Sequence, residues 1–110
     1  MQKCDLLYLN LSFIEQHYSE DISIEDISSS CGLNRSYFSK VFRDTMGESP
    51  QGFLLHYRMA RAAQLLTESR LPISTISTMV SYPNQLHFSR VFKNVYGISP
   101  RDYRAKHLAL

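Results

Sequence analysis

Long apolar runs are missing from this chain. None approaches the ~18 residues that a membrane span needs, and the first residues carry no signal-peptide pattern. A role in or across a membrane is therefore not expected. Cysteine is scarce: Cys4 and Cys31 are the only two, too few for a disulfide framework. They are read as free thiols in a reducing compartment, which places the chain in the cytoplasm. Four histidines, His17, His56, His87 and His107, have no metal-ligand spacing with the cysteines, so no zinc site is expected. A Gly-rich phosphate loop and a nucleophile elbow are also absent. No cluster of acid, base and nucleophile emerges, so no catalytic residue is assigned and no cofactor is called for.

The 110 residues are 44% apolar, enough for one compact domain or two very small ones. The formal net charge of +2 is a weak argument for any partner, but its distribution says more. Residues 1–30 hold one base, Lys3, against six acids: Asp5, Glu15, Glu20, Asp21, Glu25 and Asp26. Residues 31–110 hold eleven bases against four acids. A basic region on a modestly charged domain is the electrostatic footprint of nucleic-acid binding.

The basic region contains a repeat, and a repeat lets one unit explain both halves. Residues 38–53 and 88–103 align at an offset of fifty, with seven of sixteen positions identical. Others keep their chemistry: Lys40 with Arg90, Arg43 with Lys93, Asp44 with Asn94, Phe53 with Tyr103. Advancing about 100° per residue puts Phe38, Val41, Phe42 and Thr45 on one face of a helix. Ser36, Ser39, Lys40 and Arg43 fall on the opposite face. The second copy puts Phe88, Val91 and Phe92 inside and Leu86, Ser89, Arg90 and Lys93 outside. Gly47 and Gly97 supply the left-handed stop. Ser49-Pro50 and Ser99-Pro100 restart the chain as an N-cap followed by a proline at the first helical position. A solvated charged face would account for one such helix. Two copies with the same charges at the same angles, each closed by Gly and Ser-Pro, point to a shared surface with work to do.

The rest of the chain frames these two helices. Leu6, Leu7, Leu9, Leu11, Phe13 and Ile14 predict an amphipathic packing helix from Asp5 to about Tyr18. Ser23 with Asp26 resembles a capping box for a helix that buries Ile24 and Ile27, runs to about Cys31 and is broken by Gly32. Leu33 is a core residue in the turn, and Asn34 caps the next helix. Helix, tight turn with Gly, helix is the helix-turn-helix pattern, whose second helix enters the DNA major groove. Residues 49 to about 68 predict the longest helix, with an apolar face of Phe53, Leu54, Tyr57, Ala60, Ala63 and Leu65 and with Arg58 and Arg61 outward. Its ~30 Å length is near the ~34 Å between major-groove faces on one side of B-DNA, as expected of a spacer between two reading heads. Ile73, Ile76 and Val80 mark a short helix, and Ser81 to Asn84 form a turn one residue longer than the first. Tyr82 is read as turn core and His87 as a semi-buried packing residue. A last helix over residues 99–107 turns Tyr103 inward and leaves Arg101, Arg104 and Lys106 near the surface. Leu108-Ala109-Leu110 is expected to fray.

These features resemble the DNA-binding domain of the AraC/XylS family of bacterial transcription regulators, from about Tyr8 to about His107. The match is most specific in Phe88-Ser89-Arg90-Val91-Phe92-Lys93, Tyr96-Gly97 and Ser99-Pro100-Arg101-Asp102-Tyr103-Arg104. The resemblance implies an all-α fold of seven helices: one helix-turn-helix unit over residues 5–48, a linker helix over 49–68 and a second unit over 69–107. It implies double-stranded DNA as partner, with both recognition helices in adjacent major grooves of a bipartite site. The base-reading positions it implies are Arg35, Ser36, Ser39 and Lys40 in the first unit and Gln85, Leu86, Ser89 and Arg90 in the second. Arg43 and Lys93 stand where phosphates are contacted. Arg and Lys donate to guanine O6 and N7, Gln bonds adenine bidentately, and Ser lets the backbone approach. Leu86 is open to two readings, contact with a thymine methyl or no role.

Several positions depart from the family pattern. Ser28 and Ser77 replace a usual alanine, Ser81 replaces the turn glycine, and Pro83 replaces a serine cap, leaving Asn84 as the alternative cap. The resemblance further implies contact with RNA polymerase in some members, and an effector or dimerisation domain for which 110 residues leave no room. The rival class is a small helical protein-interaction module that grips a partner protein with its charged faces and binds no DNA.

Overall fold

The computed structural model describes residues 11–108. Cys4, the predicted start of the first helix with Leu6, Leu7 and Leu9, and the last two residues of the predicted frayed tail lie outside them. Among the described residues there are seven helices and no strand. Helix α1 covers residues 11–17; the others are α2 Ile24–Ser30, α3 Arg35–Met46, α4 Pro50–Glu68, α5 Ile73–Met79, α6 Gln85–Tyr96 and α7 Pro100–His107. The all-α class, the two helix-turn-helix units and the long central helix are as expected. Contacts divide the chain into two compact units, one ending at Leu55 and one starting at His56, so the boundary falls inside α4.

In the first unit, Ile14 of α1 is fully buried. Ser23 opens α2 with a reciprocal capping box: its hydroxyl accepts from Asp26 N at 3.1 Å, and the Asp26 carboxylate accepts from Ser23 N at 2.8 Å. Two orphan donors are satisfied this way even with the shorter acid at the third position. Ile24, Ile27 and Ser28 are buried, and the Ser28 hydroxyl donates to Glu25 O. Gly32 turns the chain with φ +70°, which lets Leu33 N donate to Ser28 O at 3.0 Å. Asn34 then caps α3 by accepting from Tyr37 N at 2.9 Å. Phe38, Val41 and Phe42 are buried, and Phe42 meets Phe53 edge-on at 5.5 Å. Thr45 does not join them. It is exposed and donates its hydroxyl back to Val41 O; a hydroxyl that bonds the carbonyl one turn earlier has an alternative to burial.

The second unit repeats this path. Ile76, Ser77 and Val80 are buried, and Tyr82 N donates to Ser77 O at 2.9 Å, matching the Leu33 to Ser28 bond. Ser81 takes the place of Gly32 with φ +69° and is the one non-glycine residue with positive φ among the described residues. Its turn is further held by the Ser77 hydroxyl, which donates to Tyr82 O. Pro83 is the inserted residue, and Asn84 caps α6 by accepting from His87 N at 3.0 Å. Phe88 and Phe92 are fully buried, with Tyr103 of α7 edge-on to Phe92 at 5.3 Å. Val91 is only half-buried. Tyr82 packs against Phe88 and His87. Burial pushes its hydroxyl above the ordinary tyrosine range, partly opposed by the Arg58 charge. His87 itself is exposed, contrary to the semi-buried place expected from its neighbour Phe88.

Two further expectations hold only in part or fail. Of the predicted face of α4, Leu54 and Ala63 are buried, Phe53, Tyr57 and Leu65 are half-buried and Ala60 is exposed, while Pro50, Met59, Ala62 and Leu66 are buried as well. Arg58 and Arg61 are also half-buried rather than outward. Arg104 is not a surface cation. It is half-buried, its Nε donates to Leu66 O at 3.1 Å, and one Nη donates to Leu71 O at 2.7 Å and Ser69 O at 3.4 Å. Leu66 is among the last residues of α4, whose carbonyls have no intrahelical donor, so this guanidinium ties α7 to the end of α4.

Candidate nucleic-acid interface

Each recognition helix is fixed at both ends before any ligand is considered. An Asn side chain caps its start, and a left-handed glycine, Gly47 or Gly97, closes its end by donating to Arg43 O or Lys93 O. Two buried phenylalanines hold its inner face. The outer face of α3 then presents Arg35, Ser36, Lys40 and Arg43 exposed, with Ser39 half-buried between them. The outer face of α6 presents Gln85, Leu86, Arg90 and Lys93 exposed, with Ser89 half-buried. All ten residues anticipated at the interface thus lie along these two helices, five on each.

Within the first unit three of the five come together. Arg35, Ser39 and Arg43 lie one turn apart along α3 and line a hollow of about 110 Å³ with Ile24, Ser49, Pro50 and Gln51. Ser36 and Lys40 are not part of this hollow. Ser49 and Gln51 were not anticipated there; the signal for them is the Ser-Pro restart, which folds the chain back toward the helix it has just left. The Ser49 hydroxyl accepts from Gly52 N at 3.1 Å, and the start of α4 is fixed accordingly. Arg35 makes a loose contact with Glu25 at 3.8 Å, both side chains being more than half exposed. Such a pair holds little free energy and leaves the guanidinium available to a stronger anion.

The electrostatics suit an anionic partner. Helix α6 contains no acid, and the single acid of α3 is Asp44. Arg43 and Lys93 sit in the last turns, where cations are favoured by the helix dipole. Long cations, an amide and short hydroxyls on a rigid helix are the donors that base edges and phosphates accept. Tyr96, pushed above the ordinary tyrosine range by burial and then by Tyr103, belongs to the packing of α6 and not to this face. Among the described residues no His, Cys, Asp or Glu grouping could hold a metal ion, and no helix is long and apolar enough to cross a membrane.

The family model for a helix-turn-helix domain matches residues 27–106. A solved structure of a transcriptional regulator from Chromobacterium violaceum, described as AraC-type DNA-binding, superposes with a TM-score of 0.89. It is 28% identical, and the alignment covers 96% of this chain and 95% of that one. The chain belongs to the AraC-type helix-turn-helix family. Another neighbour is the C-terminal domain of AraT, a response regulator from Geobacillus stearothermophilus: 30% identity, TM-score 0.91, covering 96% of this chain and 88% of that one. The lactose operon transcription activator of Staphylococcus xylosus is 37% identical over 86% of this chain and 34% of its own length. The chain spans about a third of the length of the curated relatives it matches. The AraC-type family is one of DNA-binding regulators and not of enzymes.

Proposed function

We propose that this AraC-type domain binds double-stranded DNA sequence-specifically for transcription regulation. In this reading residues 5–48 and 69–107 act as two helix-turn-helix units joined by a linker helix over 49–68, and α3 and α6 enter adjacent major grooves of a bipartite promoter site. Arg35, Ser36, Ser39 and Lys40 read bases in one half, and Gln85, Leu86, Ser89 and Arg90 read bases in the other. Arg43 and Lys93 contact phosphates. The observation that carries the reading is the twice-built helix: the same caps, the same buried phenylalanine pair and the same exposed cations, at an offset of fifty residues. The buried phenylalanine pairs account for the inner faces, while the cations of the outer faces stay exposed.

The family's regulators act on the chromosome, so the cytoplasm is the proposed location. Relatives more than twice as long as this chain support an effector or dimerisation domain working with it in a full-length regulator, and the promoter-bound complex offers RNA polymerase as a second partner. The experiment is a pair of substitutions on a defined site. Arg90→Ala should weaken the specific site by about 1–3 kcal/mol and relax the preference at one base pair. Lys93→Ala should weaken all sequences alike and flatten the dependence of affinity on salt. Binding that ignores salt and both substitutions would refute the reading and favour the protein-interaction module.

A further inference from the structure

Leu86 is 63% exposed, the most exposed large apolar side chain among the described residues. Isolated apolar residues on a surface are ordinary and need no account. This one differs by its place. It occupies the first turn of α6, the part of a recognition helix that meets base edges. Its neighbours one and two turns along the same strip are Ser89, Arg90 and Lys93, and Gln85 precedes it, all polar and all exposed or half-buried. The corresponding position in α3 is Ser36, also exposed. The fold therefore tolerates a hydroxyl at this point of the repeat, and packing gives no reason for leucine in the second copy.

On the assumption that α6 reads the major groove as proposed above, we infer that Leu86 makes the second half-site depend on a thymine C5-methyl, so that the two halves of the bipartite site differ in kind. The base edges of the major groove offer donors, acceptors and one apolar group, the thymine methyl. A leucine held among Gln, Ser, Arg and Lys has that group as its complement. Gln85, one residue earlier, is the side chain that pairs bidentately with adenine. Together they favour A·T pairs at the N-terminal end of α6. In α3 the same two positions hold Arg35, which favours guanine, and Ser36, whose hydroxyl bonds to more than one base; neither offers an apolar contact. The chain then has one permitted orientation on its site, with the methyl-dependent half under α6.

Replacing thymine by deoxyuridine removes the methyl and leaves every hydrogen bond of the base pair intact. The test places deoxyuridine, one position at a time, across a defined bound duplex and measures affinity for the wild-type chain and for Leu86→Ser. Wild type should lose about fourfold at one position in the second half-site, the weight of one methyl-sized apolar contact. Leu86→Ser, which copies the first unit at an exposed position and leaves the core untouched, should bind the thymine and deoxyuridine duplexes equally. Equal binding of both duplexes by the wild type, or an undiminished methyl effect in Leu86→Ser, would overturn the inference while leaving DNA binding intact. A wild-type chain that binds no duplex at all would instead remove the reading on which the inference rests.

Discussion

Arg104 offers the sharpest test of the packing. Its guanidinium reaches three carbonyls at 3.1, 3.4 and 2.7 Å, two of them short enough to count as full hydrogen bonds. A hydrogen bond from a charged donor contributes roughly 1.5–3 kcal/mol, and bonds from one group do not add fully. A cation at a helix C-terminus adds about 0.3–1 kcal/mol. Arg104→Ala removes all of this and leaves carbonyls near the end of α4 without their donor, so the expected loss is about 3 kcal/mol, against a typical domain stability of about 5–15 kcal/mol. Arg104→Lys keeps the charge but replaces a planar fork with a point donor, and should recover no more than about half. Urea denaturation measures both. An Arg104→Ala variant within about 0.5 kcal/mol of wild type, or full recovery by lysine, would refute the structural assignment. DNA affinity, measured well below the unfolding transition, should change little, because this side chain is spent inside the fold.

The turn residues give a second expectation. Ser81 holds φ +69° where the first unit uses Gly32 at +70°, and a left-handed non-glycine residue costs about 1–2 kcal/mol. Ser81→Gly should raise stability by up to about 1 kcal/mol, since the greater freedom of glycine in the unfolded chain offsets part of the relief; Gly32→Ala should lower it by about 1–2 kcal/mol. Thermal unfolding of the two variants checks the sign of each. Phe88→Ala, at a fully buried position, should destabilise by about 3–5 kcal/mol; a stable variant that merely fails to bind DNA would contradict its place in the core.

Most of the local architecture is legible in the sequence because it is written in short-range chemistry. Ser23 with Asp26, Asn34, Asn84, Ser99, Gly47 and Gly97 each act within four residues of themselves, and every one caps or closes the helix assigned to it. The phenylalanine pairs are readable because a short, strongly two-faced helix has one way to bury them. The long helix is harder. Met59, Ala62, Ala63 and Leu66 follow the i, i+3, i+4, i+7 pattern of a buried face, but Tyr57, Ala60 and Leu65 supply a competing apolar set, and alanine and arginine fit either side. Arg104 is illegible for a different reason: its acceptors lie 33 to 38 residues away along the chain and are backbone carbonyls, which leave no mark in a sequence. Ser81 carries its own signal only through the repeat, as the residue that falls where Gly32 stands. The exposed faces of α3 and α6 are legible as cationic strips, whereas the gathering of Arg35, Ser39 and Arg43 around one hollow depends on the fold-back at Ser49-Pro50.

Selection of bound duplexes from a random DNA pool at two salt concentrations shows whether one chain carries two reading heads. Two reading heads should enrich a site with two boxes about one helical turn apart, unlike in sequence and bound more weakly at the higher salt. Enrichment of a single box would contradict the claim that both helices read DNA, and a pool with no enrichment and no salt-dependent binding would contradict DNA recognition altogether.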